Sequence, residues 1–439
     1  KLGFDMNKTK LYLVDHHKSH AASTYFTSGF KKSTAITLDA LGDGYSSTIN
    51  KCENGSIKTI TKNKTQGSLG LFFQEVTSLC GMRVLEDEGK VMALSDYAYK
   101  NKNITNKNPL RKLFNINQTK IRSNFSLNKR YKILNNLLWR NKLENFCYMA
   151  QDALEHFSTQ LVGNSVDETG INDISLAGGI TSNIKMNMKI RQLKKVKNWH
   201  VFPDMGDGGL SAGAALYVSN KLFGTMPYKI DNMSLGPEFN SNEIENILKK
   251  YKDKINYEKR EDVSKLAGEL VSNENIVFWF QGRTEYGPRA LGNRSILANA
   301  SSIKAKNDLN MKIKQRSFYQ PFCPSILESD ANKFINEPKA QYNKFMTMGY
   351  MLKQKVIDNA LSAMNIDNSI RPQMVGSENK KYMDYLKTIK KETGYGITLN
   401  TSFNIHGRPI VLDPDDAIKT QLETKNKHMV IGNYYVKLK

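Results

Sequence analysis

A cluster of histidines near the start of the chain offers the clearest chemistry. Three of the seven histidines lie within the five residues His16-His17-Lys18-Ser19-His20. Side chains four positions apart lie on one face of a helical turn, so His16 and His20 can both reach one metal ion. A single pair at this spacing more often decorates a surface or a core. The concentration of three histidines in one motif nevertheless favours a metal site.

Two aspartates are candidates to complete the ligand set. Asp39 follows an apolar strand predicted at residues 35–38, and Asp207 lies in the glycine-rich turn of residues 205–209. Two imidazoles and two carboxylates suit a borderline divalent ion such as Fe(II), Mn(II) or Zn(II). The predicted ligands are therefore His16, His20, Asp39 and Asp207.

Glycine-rich turns follow three predicted strands in the first half of the chain, at residues 38–44, 176–180 and 206–209. In such turns, backbone N–H groups can approach phosphate oxygens without a Cβ in the way. One turn of this kind is weak support, because glycine is common in turns generally. Three in one domain indicate a nucleotide cleft of the actin/sugar-kinase type. The chain has no G-x-x-x-x-G-K-[ST] segment, which excludes a P-loop enzyme.

An arginine-rich segment in the second half is a candidate anion site. Residues 282–295 hold three arginines between glycine and proline turns, and Lys314 and Arg316 follow. Guanidinium groups form forked hydrogen bonds to phosphate oxygens. Solvated arginines are the simpler alternative, but the segment is glycine-rich and partly apolar, which favours an anion site. Residues 400–404, Asn-Thr-Ser-Phe-Asn, add neutral groups that suit an amide-like ligand, although turn residues would look the same.

The elements that must position these residues alternate between strands and helices. Strands are predicted at residues 11–14, 35–38, 174–177, 200–202 and 276–279, and helices at 67–95, 145–165, 183–193, 211–220, 241–251 and 262–272. Strands that run through glycine turns into helices are typical of an α/β domain. Residues 223–237, with two glycines and two prolines, are the best linker candidate.

Composition and charge narrow the class of protein further. The net charge is +22, and residues 100–142 hold twelve basic and no acidic residues. A basic surface attracts anions, but the excess lysine is spread over the chain, so nucleic acid is not predicted as a partner. No run approaches the roughly 18 apolar residues of a membrane span, and no signal-peptide pattern is present. Four cysteines without a C-x-x-C pair predict free thiols in a reducing cytoplasm.

Together these motifs resemble one known family, the NodU/CmcH-type O-carbamoyltransferases, which carbamoylate antibiotics and nodulation factors. The matching blocks in the first half are residues 15–23, 38–44, 67–72, 88–92, 176–183 and 206–216. The blocks in the second half are residues 282–296, 321–325, 371–373 and 400–411. They follow the family's order over almost the full length, so the set is far more specific than any single motif.

The resemblance implies a two-domain α/β enzyme. Residues 1–225 would form an actin/sugar-kinase-like (ribonuclease H-like) domain that binds metal and nucleotide and transfers the carbamoyl group. Residues 226–439 would form a YrdC-like α/β domain that makes carbamoyl adenylate from carbamoyl phosphate and ATP. The implied nucleotide and adenylate residues are Glu88, Lys90, Gly178, Gly179 and Asn183. The implied carbamoyl phosphate residues are Arg283, Arg289, Arg294, Arg316, Arg371 and Asn400.

The resemblance also implies the chemistry. The metal, expected to be Fe(II), would act as a Lewis acid while the hydroxyl of a small-molecule acceptor attacks, and Mg(II) would accompany ATP. A neutral histidine would take the hydroxyl proton, and His17 is the spare one in the motif. The predicted catalytic set is therefore His16, His17, His20 and Asp39. The enzyme is expected in the cytoplasm, and a homodimer is an open expectation.

Three departures from the family pattern leave other functions open. Only fifteen residues precede His16, where the family has roughly ninety, and residue 1 is Lys, so we expect a fragment or the product of a split gene. Asn365 and Gln320 stand where relatives have His and Arg. The alternatives are a tRNA threonylcarbamoyl-type transferase, which shares the H-x-x-x-H domain, and a catalytically decayed binding protein of the same fold.

Overall fold

The computed structural model describes residue 5 and residues 8–98, 108–335 and 343–439. The chain divides into two compact units, Lys1–Ile230 and Asp231–Lys439, where sequence analysis placed the division after residue 225. Among the residues described, none of the helices combines the length and the apolar sequence that crossing a bilayer requires.

The first unit is built on a five-stranded sheet with seven helices in its described part. Its strands are β1 (Lys32–Gly42), β2 (Tyr45–Glu53), β3 (Ser56–Lys64), β6 (Asp173–Ala177) and β7 (Asn198–Val201), and a separate hairpin is formed by β4 (Phe114–Asn117) and β5 (Lys120–Ser123). Its helices are α1 (His16–Phe26), α2 (Leu69–Leu79), α3 (Glu88–Ser95), α4 (Leu127–Arg140), α5 (Leu143–Thr169), α6 (Ile184–Arg191) and α7 (Leu210–Phe223).

The strand order of this sheet is β3-β2-β1-β6-β7. β1, β6 and β7 are parallel, whereas β2 is antiparallel to both β1 and β3. Because the carboxyl ends of parallel strands meet at one edge of a sheet, the residues that follow β1, β6 and β7 lie near one another. Asp39 lies near the carboxyl end of β1, Gly178 directly follows β6, and Asp207 lies in the turn after β7.

The second unit is built on an eight-stranded sheet. Its strands are β8 (Ile255–Lys259), β9 (Val277–Phe280), β10 (Arg294–Ala298), β11 (Cys323–Leu327), β14 (Gln373–Val375), β15 (Ile397–Ser402), β16 (His428–Ile431) and β17 (Tyr434–Leu438), in the order β14-β11-β15-β10-β9-β16-β17-β8. A small pair is formed by β12 (Tyr350–Met351) and β13 (Ser369–Ile370). The helices are α8 (Ser241–Lys250), α9 (Val263–Ser272), α10 (Ile303–Asp308), α11 (Ala331–Phe334), α12 (Lys380–Thr393) and α13 (Pro414–Thr424), with a π-helical turn at Leu309–Lys314.

The core of the second unit lies between the sheet and two helices. Trp279 and Leu297 project from adjacent strands and pack with Tyr382, Tyr385 and other side chains of α9 and α12, all of them buried. The Trp279 indole N–H donates to Gly292 O at 2.8 Å, so its one polar atom is satisfied. Burial of several large aromatic rings makes this layer a major source of stability for the unit.

Three sequence predictions differ from the structure. The strand predicted at residues 11–14 is wrong: Leu11 and Leu13 are 70% and 90% exposed, and no strand in the described part of the chain pairs with them. The helix predicted at residues 67–95 is two helices, because the first ends at Leu79, Cys80 caps it, and Gly81 takes a left-handed φ of +72°. The basic stretch has more regular structure than the sequence indicated, because its described part holds β4, β5 and α4.

Candidate active site

The histidines and aspartates of the first unit converge on one point. The Nε2 atoms of His16 and His20 each lie 3.0 Å from Asp39 Oδ2. Asp207 Oδ1 is 3.7 Å from His16 Nε2 and 3.5 Å from His20 Nε2. All four candidate ligand atoms lie within 4.8 Å of one another. His20 is fully buried, Asp39 is 8% exposed, and the Asp207 side chain is 71% exposed, so the cluster opens to solvent on the Asp207 side.

Helix α1 begins at His16, which places both histidines in its first turns. The Asp15 side chain caps the helix by accepting from Lys18 N at 2.9 Å, which satisfies one of the free N–H groups at the start. The helix packs so closely on α7 that a Cβ at Gly213 would lie 1.9 Å from Ser19 O. A Cβ at Gly42 would lie 2.1 Å from the His16 ring. Glycine at these two positions therefore lets α7 and β1 approach the histidine helix.

Backbone donors hold Asp39 from the other side. Its Oδ1 accepts from Ala40 N at 2.7 Å and from Gly179 N at 3.4 Å. The pairing of β1 with β2 is irregular between Leu38 and Gly42, so Asp39 lies within a longer β1 than predicted, at a break in the ladder. Gly178 has a φ of +101°, and a Cβ there would lie 2.2 Å from Leu38 O. The glycine turn after β6 is thus pressed against the strand that carries Asp39.

The charges of the cluster support one another. Burial acts to raise the pKa of Asp39, but hydrogen bonds with His16 and His20 outweigh it, and the pKa is lowered. Burial acts to lower the pKa of His20, but the interactions with Asp207 and Asp39 outweigh it, and the pKa is raised. The pocket therefore stabilises one carboxylate and one imidazolium, which means that it favours positive charge beside Asp39.

These residues fit a divalent metal ion. Ligand atoms bound at about 2.1 Å lie about 3.0 to 3.5 Å apart in octahedral or tetrahedral coordination, which is close to the separations of 3.0 to 3.7 Å between imidazole and carboxylate atoms here. A mixed set of two nitrogens and two oxygens suits a borderline ion. The chemistry of the donor set and its spacing agree.

His17 points away from this cluster. Its Nδ1 is 2.8 Å from Thr37 Oγ1 and its Nε2 is 3.1 Å from Tyr45 O. Because a carbonyl only accepts, Nε2 carries the proton, and Thr37 donates to Nδ1 in the neutral ring. Burial lowers the pKa of His17. Both ring nitrogens are occupied within the fold, so this geometry does not favour the proton-accepting role predicted for His17.

The residues predicted to line the nucleotide cleft have different surroundings. Glu88 accepts from Leu85 N at 2.7 Å, and Lys90 pairs with Asp87 at 2.8 Å at the start of α3. Asn183 caps α6 and exchanges two amide hydrogen bonds with Gln151 of α5, at 2.8 and 3.1 Å. Gly178 and Gly179 lie against β1 beside Asp39. Of this predicted set, the two glycines are the members in direct contact with the histidine–aspartate cluster.

In the second unit, three of the predicted arginines surround Cys323. Arg371 Nε donates to Cys323 Sγ at 3.0 Å, and Arg289 and Arg316 lie near the same sulfur. Burial lowers the pKa of Arg289 to about 9, helped by the nearby charge of Arg371, and lowers that of Arg316 to about 10. None of the three forms an ion pair with any carboxylate in the described residues. Cations held together without a counter-charge favour binding of an anion, so this group is a candidate anion site.

Arg294 and Arg283 lie apart from this group. Arg294 is fully buried, stacks on the Phe280 ring with its guanidinium carbon 3.5 Å from the centroid, and donates to Gln281 O at 2.8 Å. Arg283 is exposed and donates to Leu235 O at 2.9 Å. The sequence grouped all three arginines of residues 282–295, but the backbone of this glycine-rich loop sends only Arg289 toward Cys323.

Asn400 lies next to the arginine group, directly opposite Cys323 in the β11–β15 pairing. Its Nδ2 donates to Ser325 Oγ at 3.0 Å and to Ala290 O at 3.2 Å, while its buried Oδ1 has no hydrogen-bond partner among the described residues. Two residues differ in type from the family pattern. Gln320 is buried at 8% exposure, and Asn365 donates to Ser369 Oγ at 2.8 Å.

A buried lysine lies beside this group, and its sequence position indicated only an added positive charge. Lys314 Nζ contacts Ser402 Oγ at 3.2 Å, Asn404 O at 2.9 Å and Asn404 Oδ1 at 2.7 Å. Burial, together with the charge of Arg316, holds its pKa well below the usual range. A signal was present, since Lys314 and Arg316 are two residues apart, but nothing in the sequence joined them to residues 402–404.

Comparison with known proteins gives a consistent result. The N-terminal and C-terminal models of the carbamoyltransferase family match residues 4–216 and 268–438. An uncharacterized protein of Methanocaldococcus jannaschii is 34% identical over 97% of this chain and 74% of its own length. Nodulation protein NolNO of Sinorhizobium fredii is 32% identical over 100% of this chain and 65% of its own length.

Two more distant matches were found. The 3'-hydroxymethylcephem-O-carbamoyltransferase of Streptomyces clavuligerus is 28% identical over 59% of this chain and 47% of its own length. The crystal structure of full-length HypF in its phosphate- and nucleotide-bound form covers 48% of this chain and 43% of its own, with 16% identity and a TM-score of 0.30, which is too low to establish a shared fold. Because the two family models together span most of both units, the chain belongs to the NodU/CmcH-type O-carbamoyltransferases, enzymes that transfer carbamoyl groups.

Proposed function

We propose that the enzyme uses ATP and carbamoyl phosphate to form carbamoyl adenylate and passes the carbamoyl group to a hydroxyl of a small molecule. Water first hydrolyses carbamoyl phosphate to carbamate and inorganic phosphate, and a carbamate oxygen then attacks the α-phosphorus of ATP and releases pyrophosphate. The acceptor oxygen then displaces AMP. The observation that carries the proposal is the group of three arginines around Cys323, none of them paired with a carboxylate in the described part of the chain.

The arginine group has the properties that a phosphorylated substrate needs. Arg371 lies close enough to Arg289 and Arg316 for its charge to lower the pKa of both. A bound phosphate dianion would relieve that repulsion and accept several charge-assisted hydrogen bonds, each worth about 1.5–3 kcal/mol. The Oδ1 of Asn400, which no described residue contacts by a hydrogen bond, is available to accept from the carbamoyl NH2 group. Lys314 holds residues 402–404, which follow Asn400, in one conformation.

The histidine–aspartate cluster is our candidate transfer site. His16, His20, Asp39 and Asp207 would hold a divalent ion, for which we propose Fe(II), and this ion would polarise the carbamoyl carbonyl. Asp39 is fixed by two backbone N–H groups, so its other oxygen keeps its direction toward the histidines. The exposed side at Asp207 leaves a path for the acceptor. The glycine turn at residues 178–179 lies beside Asp39, where N–H groups can approach a phosphate of the adenylate.

The chain organisation supports the finer fold assignments that we propose. The order β3-β2-β1-β6-β7, with antiparallel strands at one side, supports a ribonuclease H-like first domain. The eight-stranded mixed sheet that carries the arginine group supports a YrdC-like second domain. Mg(II) would accompany ATP. We propose a sugar or natural product as acceptor because the Streptomyces clavuligerus relative is named for a hydroxymethyl compound.

A pyrophosphate-release assay tests this proposal. Purified enzyme with ATP and Mg²⁺ should release pyrophosphate only when carbamoyl phosphate is added. Arg289→Ala should weaken this dependence by about 10- to 100-fold, the loss of one charge-assisted contact. Arg260→Ala is the matched control, because Arg260 is an arginine at the far edge of the same unit that pairs with Glu258 and Asp262. The proposal would be contradicted if pyrophosphate were released at the same rate with and without carbamoyl phosphate. It would also be contradicted if Arg289→Ala and Arg260→Ala reduced the release equally.

A further inference from the structure

Cys323 has surroundings unlike those of the other cysteines. It begins β11 at 6% exposure, and its sulfur accepts a hydrogen bond from Arg371 and lies in the field of Arg289 and Arg316. By contrast, Cys52 is fully buried, and burial raises the pKa of its thiol to about 12. Cys80 and Cys147 face each other, with their sulfurs 3.9 Å apart.

The groups around Cys323 are arranged for a small ligand. Asn400, its direct partner across β11 and β15, is 2% exposed and has a buried oxygen that no described residue contacts by a hydrogen bond. The buried Nε atom of Arg289 likewise has no hydrogen-bond partner among the described residues. Arg289 and Arg371 are themselves only half-buried, so the group is open to solvent at one side. The hydrogen bond from Arg371 Nε, at 3.0 Å, holds the Cys323 sulfur inside this group.

We propose that Cys323 is a modification site, at which isocyanic acid carbamoylates the sulfur inside the arginine group. The inference rests on the proposed function for its source of reagent, because carbamoyl phosphate breaks down in water to phosphate and isocyanic acid. An enzyme that holds carbamoyl phosphate at Arg289, Arg316 and Arg371 would expose Cys323 to this electrophile whenever adenylation is slow. Modification would place an uncharged amide where the phosphate has to bind, and would therefore block the site.

The chemistry needs no oxidant. The thiolate of Cys323 attacks the carbon of HN=C=O and forms one S–C bond, and the electron pair released from the C=N double bond takes a proton from water. The product is the S-carbamoyl thioester-like group –S–CO–NH2. Arg371 and Arg289 can donate to the oxygen on which negative charge develops during the attack. The reaction is reversible in alkaline solution, where the thiolate leaves again.

The test uses potassium cyanate on the intact enzyme and follows each cysteine peptide by mass spectrometry. We expect Cys323 to gain one carbamoyl group before Cys52 does, and inorganic phosphate to slow modification of Cys323 but not of Cys80. Arg371→Ala should slow it about tenfold, the loss of one charged hydrogen-bond donor, whereas Arg371→Lys should retain most of the rate. Arg260→Ala is the matched control. Cys52, fully buried in the native fold, reports any unfolding of a variant in the same digest.

Two results would overturn the inference. Modification of Cys323 no faster than that of Cys52 would show a merely buried thiol, and a rate unchanged in Arg371→Ala would show that the arginine group does not activate it. Because cyanate is supplied directly, the outcome does not depend on carbamoyl phosphate. If Cys323 reacts as expected but pyrophosphate release never depends on carbamoyl phosphate, the proposed function fails and the modification site stands.

Discussion

Replacing Gly213 by alanine should separate the two helices that bring the candidate metal ligands together. Gly213 lies in α7, directly after the turn that carries Asp207, and faces Ser19 in α1 between His16 and His20. The new Cβ would lie 1.9 Å from Ser19 O and 2.7 Å from Ser19 C. Both are backbone atoms within a helix, so no side-chain rotation can relieve the clash.

The size of the displacement follows from this contact. A carbon and an oxygen that are not bonded need about 3.2 Å or more, so α7 has to move by more than about 1 Å. Metal sites tolerate ligand displacements of about 0.2 Å. Asp207 would therefore drop out of the ligand set, and we expect metal affinity to fall about 10- to 100-fold. The strain should cost about 1–3 kcal/mol of unfolding free energy, as overpacked sites do.

A matched variant separates strain from helix propensity. Gly163 lies inside α5, and a Cβ added there would meet no described neighbouring atom within 4 Å. Gly163→Ala should therefore raise the free energy of unfolding by about 0.8–1 kcal/mol, the gain in helix propensity. Denaturant unfolding gives the difference between the two variants, and titration calorimetry with Fe(II), Mn(II) or Zn(II) gives the affinity. Equal stability of Gly213→Ala and Gly163→Ala, with unchanged metal affinity, would refute the account of the α1–α7 contact.

Three further predictions follow from other parts of the chain. Asp39→Asn should lower metal affinity by at least about 100-fold, so that added metal no longer raises the melting temperature; a persistent metal-induced shift would show that Asp39 is not a ligand. Lys314→Met should lower the unfolding free energy by about 2–3 kcal/mol, because the acceptors of Ser402 and Asn404 lose this donor; an unchanged midpoint in urea would contradict this. Burial, with Lys427 and Lys437, lowers the pKa of His428 to about 4, so the native state disfavours its protonation and stability is lost as pH falls below about 6.5. We expect the wild type to lose about 1.5–2 kcal/mol more than His428→Gln between pH 7 and pH 5, and parallel pH profiles would refute the assignment.

Helix starts and the orientation of neighbouring side chains on a helix could be predicted, because both depend on residues that are close together in the sequence. Helix α1 begins at His16 since Asp15 caps it, and the four-residue spacing then orients His16 and His20 alike. The strand prediction at residues 11–14 failed because an apolar run forms a strand only when a neighbouring strand pairs with it, and pairing is not visible locally. Likewise, the apolar run at residues 35–38 indicates only the middle of β1, although the strand extends from Lys32 to Gly42.

The direction of individual side chains could not be predicted from the sequence as well as the helices and strands could. Arg283, Arg289 and Arg294 look equivalent in the sequence, but left-handed glycines at residues 282, 287 and 292 turn the chain between them, and the three guanidinium groups go different ways. His17 was a candidate proton acceptor because it adjoins two predicted ligands. Its ring instead points to β1 and β2, since neighbours on a helix lie about 100° apart. Both differences concern the direction of a side chain rather than its residue type.

Detection of carbamoyl adenylate tests the central claim most directly. The enzyme would be incubated with ATP, Mg²⁺ and carbamoyl phosphate, without acceptor, and the small molecules analysed by mass spectrometry. We expect carbamoyl adenylate to accumulate with the wild type and with Arg260→Ala, and to fall about 10- to 100-fold with Arg289→Ala while that variant remains folded. Absence of the adenylate from the folded wild-type enzyme would contradict the proposal that the arginine group activates carbamoyl phosphate.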